Sequence, residues 1–390
     1  MQWIIRALVI GIALASVAAR ADQAASCGSP PDLHDGWSVA APEQEELDPA
    51  LICGIGPRLD GWEEANPHAV VVARHGALVY EHYFAGEDWR LSMPLGVVTF
   101  DAATKHDMRS ISKSVTSLLV GIAFDRGWLT DLDAPVLSFF PEYESLRTPE
   151  KDRITLRHVL TMSSGLAWDE TSVPYTDPSN SWWQMDVAPD SRRYVLERPL
   201  AAQPGEVFNY DSGSADLLGL ILRKVSGRRL DALAKEALFD PLEIDDWDWD
   251  DTAGFNPSAT AGLRLRPRDL AKIGQLVLQH GAWHGRQIVS SAWIDQLIIP
   301  RMTGTGLMFN GREGITSYGY LWWLGHVADD RPEHNLVTAS GYGGQRLFIV
   351  PSLDLVVVST AGVYGGKSSG LTGATALNDF VLPAAAAVAH

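Results

Sequence analysis

Two groups of β-branched and aromatic runs stand at opposite ends of this chain, and their separation by a long helical stretch constrains the fold more than any other feature. Near the start, Ala69-Val70-Val71-Val72-Ala73-Arg74 and Leu78-Val79-Tyr80-Glu81-His82-Tyr83-Phe84 are joined by His75-Gly76-Ala77, the pattern of a β-hairpin. Far downstream, from Tyr318 to about Thr360, YGYLWWLGHV, RLFIVP and LDLVVVST are strand-like runs separated by turns. Between about 105 and 310 the apolar residues follow helical periods broken by Pro and Gly, and a last helix is expected over about 371 to 388. This order implies an α/β fold: one antiparallel sheet built from both chain ends, flanked by helices, with a largely helical domain inserted. The expected divisions are 67–104 plus 311–390 for the sheet domain and 105–310 for the helical domain. Residues 22–66, rich in Pro, Gly and acids, read as an N-terminal extension with little regular structure. No fixed-period repeat is present, which excludes a solenoid or propeller.

A chain of 390 residues, 46% hydrophobic and 20% charged, can bury a large core without a metal or disulfide cage. Its formal charge of −17 lacks the electrostatic footprint of a nucleic-acid binder. Residues 1–21 read as a cleaved signal peptide: Arg6 precedes an apolar stretch from Ala7 to Ala18, and Ala19-Arg20-Ala21 supplies the small residues of a cleavage site. An uncleaved anchor is the alternative, but the stretch is shorter than the ~20 residues that span a bilayer. No stable membrane insertion is expected after cleavage, and the compartment is periplasmic or secreted. The two cysteines, Cys27 and Cys53, favour a disulfide in an exported chain. A lipidated Cys27 is the other reading, though the Ala24-Ala25-Ser26 before it lacks the usual Leu.

The chemistry concentrates in MRSISKSVTSLLVGIAFDRG. Ile111, Val115, Leu118, Leu119 and Ile122 form one helical face, with Ser110, Lys113, Ser114 and Ser117 opposite. Ser110 and Lys113 are one turn apart, so the amine reaches the hydroxyl without any long-range folding accident. A Ser becomes a nucleophile when a base takes its proton, and a Lys in a dry pocket gives up its own proton more readily. The first-turn N–H of Ser110 has no intrahelical partner and can face an oxyanion. About a hundred residues on, Tyr210-Asp211-Ser212 opens the helix ADLLGLILRKVSG, presenting a phenol that can relay a proton. The plain alternative there is a core Tyr with Ser212 as helix cap. Ser340-Gly341-Tyr342 precedes the strand RLFIVP; small residues let backbone approach a substrate, and the Tyr342 N–H is a candidate second oxyanion donor. An ordinary hairpin turn would look the same.

Ser110-Ile111-Ser112-Lys113, Tyr210-Asp211-Ser212 and Ser340-Gly341-Tyr342, in that order, resemble the three motifs of the serine β-lactamase-like hydrolases. That group includes class C β-lactamases, D-alanyl-D-alanine carboxypeptidases, esterases and 6-aminohexanoate dimer hydrolases. The resemblance extends over roughly residues 40 to 380, through blocks such as ITLRHVLTMSSGLAWDE and RLRPRDLAKIGQLVL. It implies a β-lactamase/transpeptidase-like fold, acylation of Ser110 followed by hydrolysis, Lys113 and Tyr210 as general base and acid, and neither metal nor organic cofactor. The implied partner is a small-molecule ester or amide, with Ser212, Ser340 and Gly341 beside it. The third motif departs from the pattern: where β-lactamases and peptidases of the group carry Lys or His, this chain has Ala339. Loss of that base favours neutral esters or amides over β-lactams and D-alanyl peptides, unless Arg346 supplies the charge from the strand.

Other features weigh less. Trp182 and Trp183 fall in TSVPYTDPSNSWWQMD, read as a loop that either walls the substrate pocket or covers the core. Gly366-Lys367-Ser368-Ser369-Gly370 fits a nucleophile elbow, but too little chain follows it for an α/β-hydrolase. The same stretch is a poor phosphate loop, because Ala361 stands where its leading Gly belongs. His280 and His284 have helical metal spacing with Gly281 between them and read as turn residues. The acids Asp245, Asp246, Asp248, Asp250 and Asp251 read as a solvated turn. A β-lactam or D-alanyl-peptide hydrolase and a non-catalytic penicillin-binding-like sensor are the competing functions.

Overall fold

A computed structural model describes residues 26–251, 256–303, 314–327, 334–365 and 368–387. The leader reading at 1–21 lies outside these residues, as do Gly366 and Lys367 of the elbow motif. The strands are β1 (Ser38–Val39), β2 (Pro67–Arg74), β3 (Ala77–Tyr83), β4 (Ala85–Arg90), β5 (Met93–Thr99), β6 (His106–Asp107), β7 (Asp248–Trp249) and β8 (Leu263–Leu265). They continue as β9 (Ala282–Trp283), β10 (Arg286–Gln287), β11 (Met302–Thr303), β12 (Ile315–Tyr318), β13 (Trp323–His326), β14 (Asn335–Gly341), β15 (Gln345–Val350) and β16 (Leu355–Ala361). The α-helices are α1 (Pro49–Cys53), α2 (Ile55–Leu59), α3 (Ile111–Asp125), α4 (Leu156–Leu160), α5 (Ser181–Asp186) and α6 (Ser191–Glu197). After these come α7 (Ser212–Ser226), α8 (Leu230–Ala234), α9 (Pro267–Leu278), α10 (Ser291–Leu297), α11 (Leu371–Thr375) and α12 (Leu382–Ala387).

Among the described residues one nine-stranded sheet runs in the order β1-β3-β2-β16-β15-β14-β13-β12-β11. The junction between the two chain ends is β2 against β16, antiparallel, with Val71 opposite Val358 and Ala73 opposite Val356. Both strands are buried throughout because both faces of the sheet are covered, hence their near-continuous Val runs. On the inner face Val71, Ala73, Leu347, Ile349, Val356 and Val358 share one core with residues of α3, α7 and α9. On the outer face Val70, Val72, Phe348, Val350 and Val357 pack against α1, α2 and the C-terminal helices. β1 pairs with β3 in parallel, the one departure from an antiparallel sheet among its described pairings.

Of the extension expected over 22–66, residues 26–66 carry more structure than their composition suggests. Asp48 caps α1 by accepting from the Ala50 N–H at 2.8 Å, and Pro49 occupies a first-turn position where its missing N–H costs nothing. Leu47, Ile52, Ile55 and Leu59 are then fully buried against the sheet. A Cys27–Cys53 disulfide ties the start of the segment to the end of α1. No helix among the described residues is long and apolar enough to cross a membrane.

Candidate active site

The segment entering α3 is held from three sides. The Met108 N–H donates to the Leu263 carbonyl at 2.8 Å, extending the pairing of β6 with β8. Asp107, fully buried, accepts from Arg264 Nη1 at 2.5 Å and from the Leu91 N–H at 2.7 Å. Arg109 has φ = +51°, a left-handed kink that turns the chain into the helix at Ser110. α3 itself is buried on nearly every side. Its hydroxyls serve the fold: Ser114 and Ser117 donate to the Leu321 and Tyr320 carbonyls at 2.7 Å each, and Thr116 to Ala259 O at 2.9 Å.

Ser110, partly exposed, and Lys113, 2% exposed, meet at 2.9 Å between Oγ and Nζ. Lys113 Nζ also lies 3.3 Å from the Thr260 carbonyl and 4.9 Å from the centre of the Tyr210 ring. The structure therefore brings Ser110, Lys113 and Tyr210 together. Tyr210 is held flat by Trp323, with ring centres 5.7 Å apart and planes 19° from parallel, and Tyr318 stands edge-on to that Trp. Such a set holds an amine between a hydroxyl and the face of a phenol ring, within a wall of aromatic carbon.

Four further residues shape this site, though the quoted motifs gave them no role. Asp216, on α7, accepts from Ser258 Oγ at 2.7 Å and from the Ala259 N–H at 2.8 Å, fixing the loop whose Thr260 carbonyl meets Lys113. Burial raises its carboxyl above the usual range, opposed by those hydrogen bonds and by the Lys113 charge. Glu170, 1% exposed, accepts from the Ser212 hydroxyl at 2.6 Å, the Ser212 N–H at 2.8 Å, Tyr175 OH at 3.0 Å and Trp168 Nε1. Ser212 thus spends its hydroxyl on Glu170, and the cap of α7 is Asp211, which accepts from the Ser214 N–H at 2.9 Å. Tyr175 spans the cleft from Glu170 to the Tyr342 ring, 5.2 Å centre to centre; burial, then the Glu170 charge, hold its phenol protonated. The fourth, Arg109, lies over the Tyr364 ring at 4.7 Å and is paired with Asp107 at 3.5 Å.

The third motif ends β14. Gly341 abuts the backbone before Ser110, while Ala339 is fully buried on the inner face, so no charged side chain stands there. Pleat alternation sends Ser340 and its cross-strand partner Arg346 to the opposite face, where Arg346 is buried and its Nη1 donates to the Gly341 and Gln345 carbonyls. The alternative in which Arg346 supplies the missing charge is thus not favoured by its place on the strand. Tyr342 is exposed and packs edge-on to Tyr175.

The loop reading of Trp182 and Trp183 is also corrected, since both lie on α5. Pro174, Asp177, Pro178 and Asn180 precede the helix, and Asn180 caps it by accepting from the Trp182 N–H at 2.9 Å. Trp182 meets Tyr175 at 5.7 Å and packs on the core; Trp183 is half-buried. His280 and His284 lie exposed around a turn. The acids from 245 to 251 form ion pairs as well as meeting solvent: Asp250 with Arg90, Asp251 with Arg229, Asp245 with Arg266, and Asp246 and Asp248 with Lys105. Ser368 donates to Glu64 at 2.7 Å.

The family described as Beta-lactamase matches residues 60–375. Over 312 residues the chain is 28% identical to the 6-aminohexanoate-dimer hydrolase of Paenarthrobacter ureafaciens, covering 76% of this chain and 72% of that protein. Over 158 residues, 37% of each chain, it is 34% identical to the lovastatin esterase of Penicillium rubens. Among solved structures, EstCE1, described as a hydrolase with promiscuous acyltransferase activity, superposes with a TM-score of 0.66. That match runs at 18% identity over 85% of this chain and 97% of the other, a likeness of fold.

Proposed function

Because the chain belongs to the Beta-lactamase family and is a serine hydrolase, we propose that Ser110 carries the acyl group, with Lys113 and Tyr210 as its base and acid, on small neutral esters or amides. The observation that carries this reading is the 2.9 Å contact of Ser110 Oγ with the buried Lys113 Nζ beneath the Tyr210 ring. In acylation the Oγ–H proton passes to the Nζ–phenol pair as Oγ bonds to the substrate carbonyl carbon. The carbonyl oxygen becomes an oxyanion facing the N–H groups of Ser110 and Tyr342. Collapse breaks the bond to the alcohol or amine, which leaves with that proton through Tyr210. Water then repeats the sequence on the acyl-enzyme, releasing the acid and restoring Ser110.

Neutral substrates are favoured by the buried Ala339 and by the outward course of Arg346. The names of the relatives, an amide-dimer hydrolase and an esterase, point the same way. The leader-like start and the Cys27–Cys53 bridge support a periplasmic or secreted enzyme. Labelling with a fluorophosphonate and peptide mapping tests the assignment: an adduct on Ser110 is expected. An adduct on Ser368, or an unlabelled folded protein that turns over no ester, refutes it and in the second case leaves the sensor reading.

A further inference from the structure

Away from the Ser110–Lys113 pair, the hairpin β4–β5 is stitched to the sheet by three fully buried polar side chains, His68 from β2, Asp88 from β4 and His106 from β6. His68 Nδ1 lies 2.8 Å from His106 Nε2, which lies 3.4 Å from Asp88 Oδ1, itself 4.0 Å from His68 Nδ1. We propose that these three atoms bind a divalent d-block cation, zinc by preference, as a structural metal site. The triangle they form is acute, and one point inside it lies about 2.0 Å from every corner, the bond length zinc takes to imidazole nitrogen and carboxylate oxygen. A cation drawn slightly off the plane of the triangle keeps bonds close to that length and has its fourth coordination direction, away from the three donors, open to water.

Hydrogen-bond accounting supports the cation. His106 Nδ1 lies 3.0 Å from the Asp107 carbonyl and must donate to it, so its Nε2 presents a lone pair to the cluster. Without a metal, a neutral His68 has to donate from Nδ1 to that lone pair. His68 Nε2 is then a bare acceptor, buried without a well-formed hydrogen bond and close to the Glu87 carbonyl, another acceptor. With a metal, both facing nitrogens are ligands and the His68 Nε2–H is turned toward the Glu87 carbonyl, the outer-shell arrangement common for metal-bound imidazole. Charge accounting agrees. Asp88 is 1% exposed, and among the described residues its ion-pair contacts are these two histidines, with no Lys or Arg. Its Oδ2 has no hydrogen-bond partner, while Oδ1 accepts from Tyr364 OH at 3.2 Å. A buried carboxylate in such surroundings calls for a cation.

The ring positions are tightly set. Phe100 stacks on His68 at 4.2 Å, and a Cβ on Gly86 or Gly362 would come within 2.8 or 2.7 Å of the His68 ring. The metal would join β2 and β4 to the segment that runs directly into Ser110.

The test starts from protein purified without chelators. Elemental analysis is expected to find about one zinc per chain, and replacement by cobalt(II) to give the visible bands of a four-coordinate ion. Asp88→Asn keeps the shape of the side chain and His106→Gln keeps a polar group near the Nε2 position, and each loses ligand strength. Each is expected to lower zinc content at least tenfold and to abolish the rise in Tm that added zinc gives the chelator-treated parent. Two outcomes overturn the proposal: a parent with neither bound metal nor a zinc-dependent Tm, or undiminished zinc in the double variant. The parent's metal content and cobalt spectrum decide even if both variants fail to fold. Fluorophosphonate labelling of Ser110 is read separately, so failure here leaves the catalytic assignment untouched.

Discussion

Gly341 lies so close to Met108 that a Cβ at position 341 would sit 2.3 Å from the Met108 carbonyl oxygen and 3.2 Å from the Arg109 Cβ. The end of β14 and the backbone preceding Ser110 are thereby locked in direct contact, which sets the distance between the nucleophile and any oxyanion donor at Tyr342. Gly341→Ala must push the strand away from the helix. The expected result is a fall in kcat/KM for p-nitrophenyl butyrate of about 100-fold, since misplacement by an ångström costs on that order. Retained activity would mean that the strand end plays no part in the reaction.

Removal of the nucleophile and its partners should separate cleanly from removal of the decoy. Ser110→Ala is expected to abolish turnover and labelling, and Lys113→Ala and Tyr210→Phe to lower kcat by about 100-fold or more each. Ser368→Ala should leave the rate unchanged, because Ser368 is tied to Glu64. Steady-state kinetics on the four variants, with circular dichroism to verify folding, decides the matter.

Burial pushes the Asp211 carboxyl up to about 6, against the hydrogen bonds from Ser214 and Ser164 that pull it down. An unfolded Asp titrates near about 3.9. Between those values the native state holds the proton that the unfolded state has lost, so this contribution to stability is present at low pH and is lost as pH rises through about 6. Asp211→Asn can still accept from the Ser214 N–H but does not titrate. Comparing urea unfolding of parent and variant, the difference should move in the variant's favour by up to about 3 kcal/mol between about pH 4 and pH 7.5. A difference independent of pH contradicts the assignment.

Substrate charge should matter through what is missing. A carboxylate drawn into a partly dry cleft needs a charged hydrogen-bond partner, and Ala339 provides none. We expect p-nitrophenyl acetate or butyrate to be hydrolysed with a kcat/KM about 100-fold or more above that of a chromogenic cephalosporin. Arg346→Ala should leave this ratio unchanged, since its side chain runs to the outer face. Efficient cephalosporin turnover that collapses in that variant would show a carboxylate site built around Arg346.

The β-branched runs, the three-part Ser110, Tyr210 and Ser340 series and the i, i+3 spacing of Ser110 with Lys113 were legible in the chain, because sheet pleat and helical pitch are local repeats that residue order alone imposes. Order also announced the cysteine pair and the absence of a base at position 339. It misjudged α5, because the Pro and Asn that break a helix also start one, and which role they play depends on where the next turn packs. Glu170 and Asp216 lie in segments that stood out in the chain, but nothing in the order of residues gave them, or the His68–Asp88–His106 cluster, a role. Their partners lie 42, 42 and 38 positions away or are reached through the sheet. Single Asp, Glu and His residues are everywhere in a soluble chain, and burial makes these few consequential. A carboxylate or imidazole acquires a definite role only when tertiary packing removes its water and leaves one partner within reach.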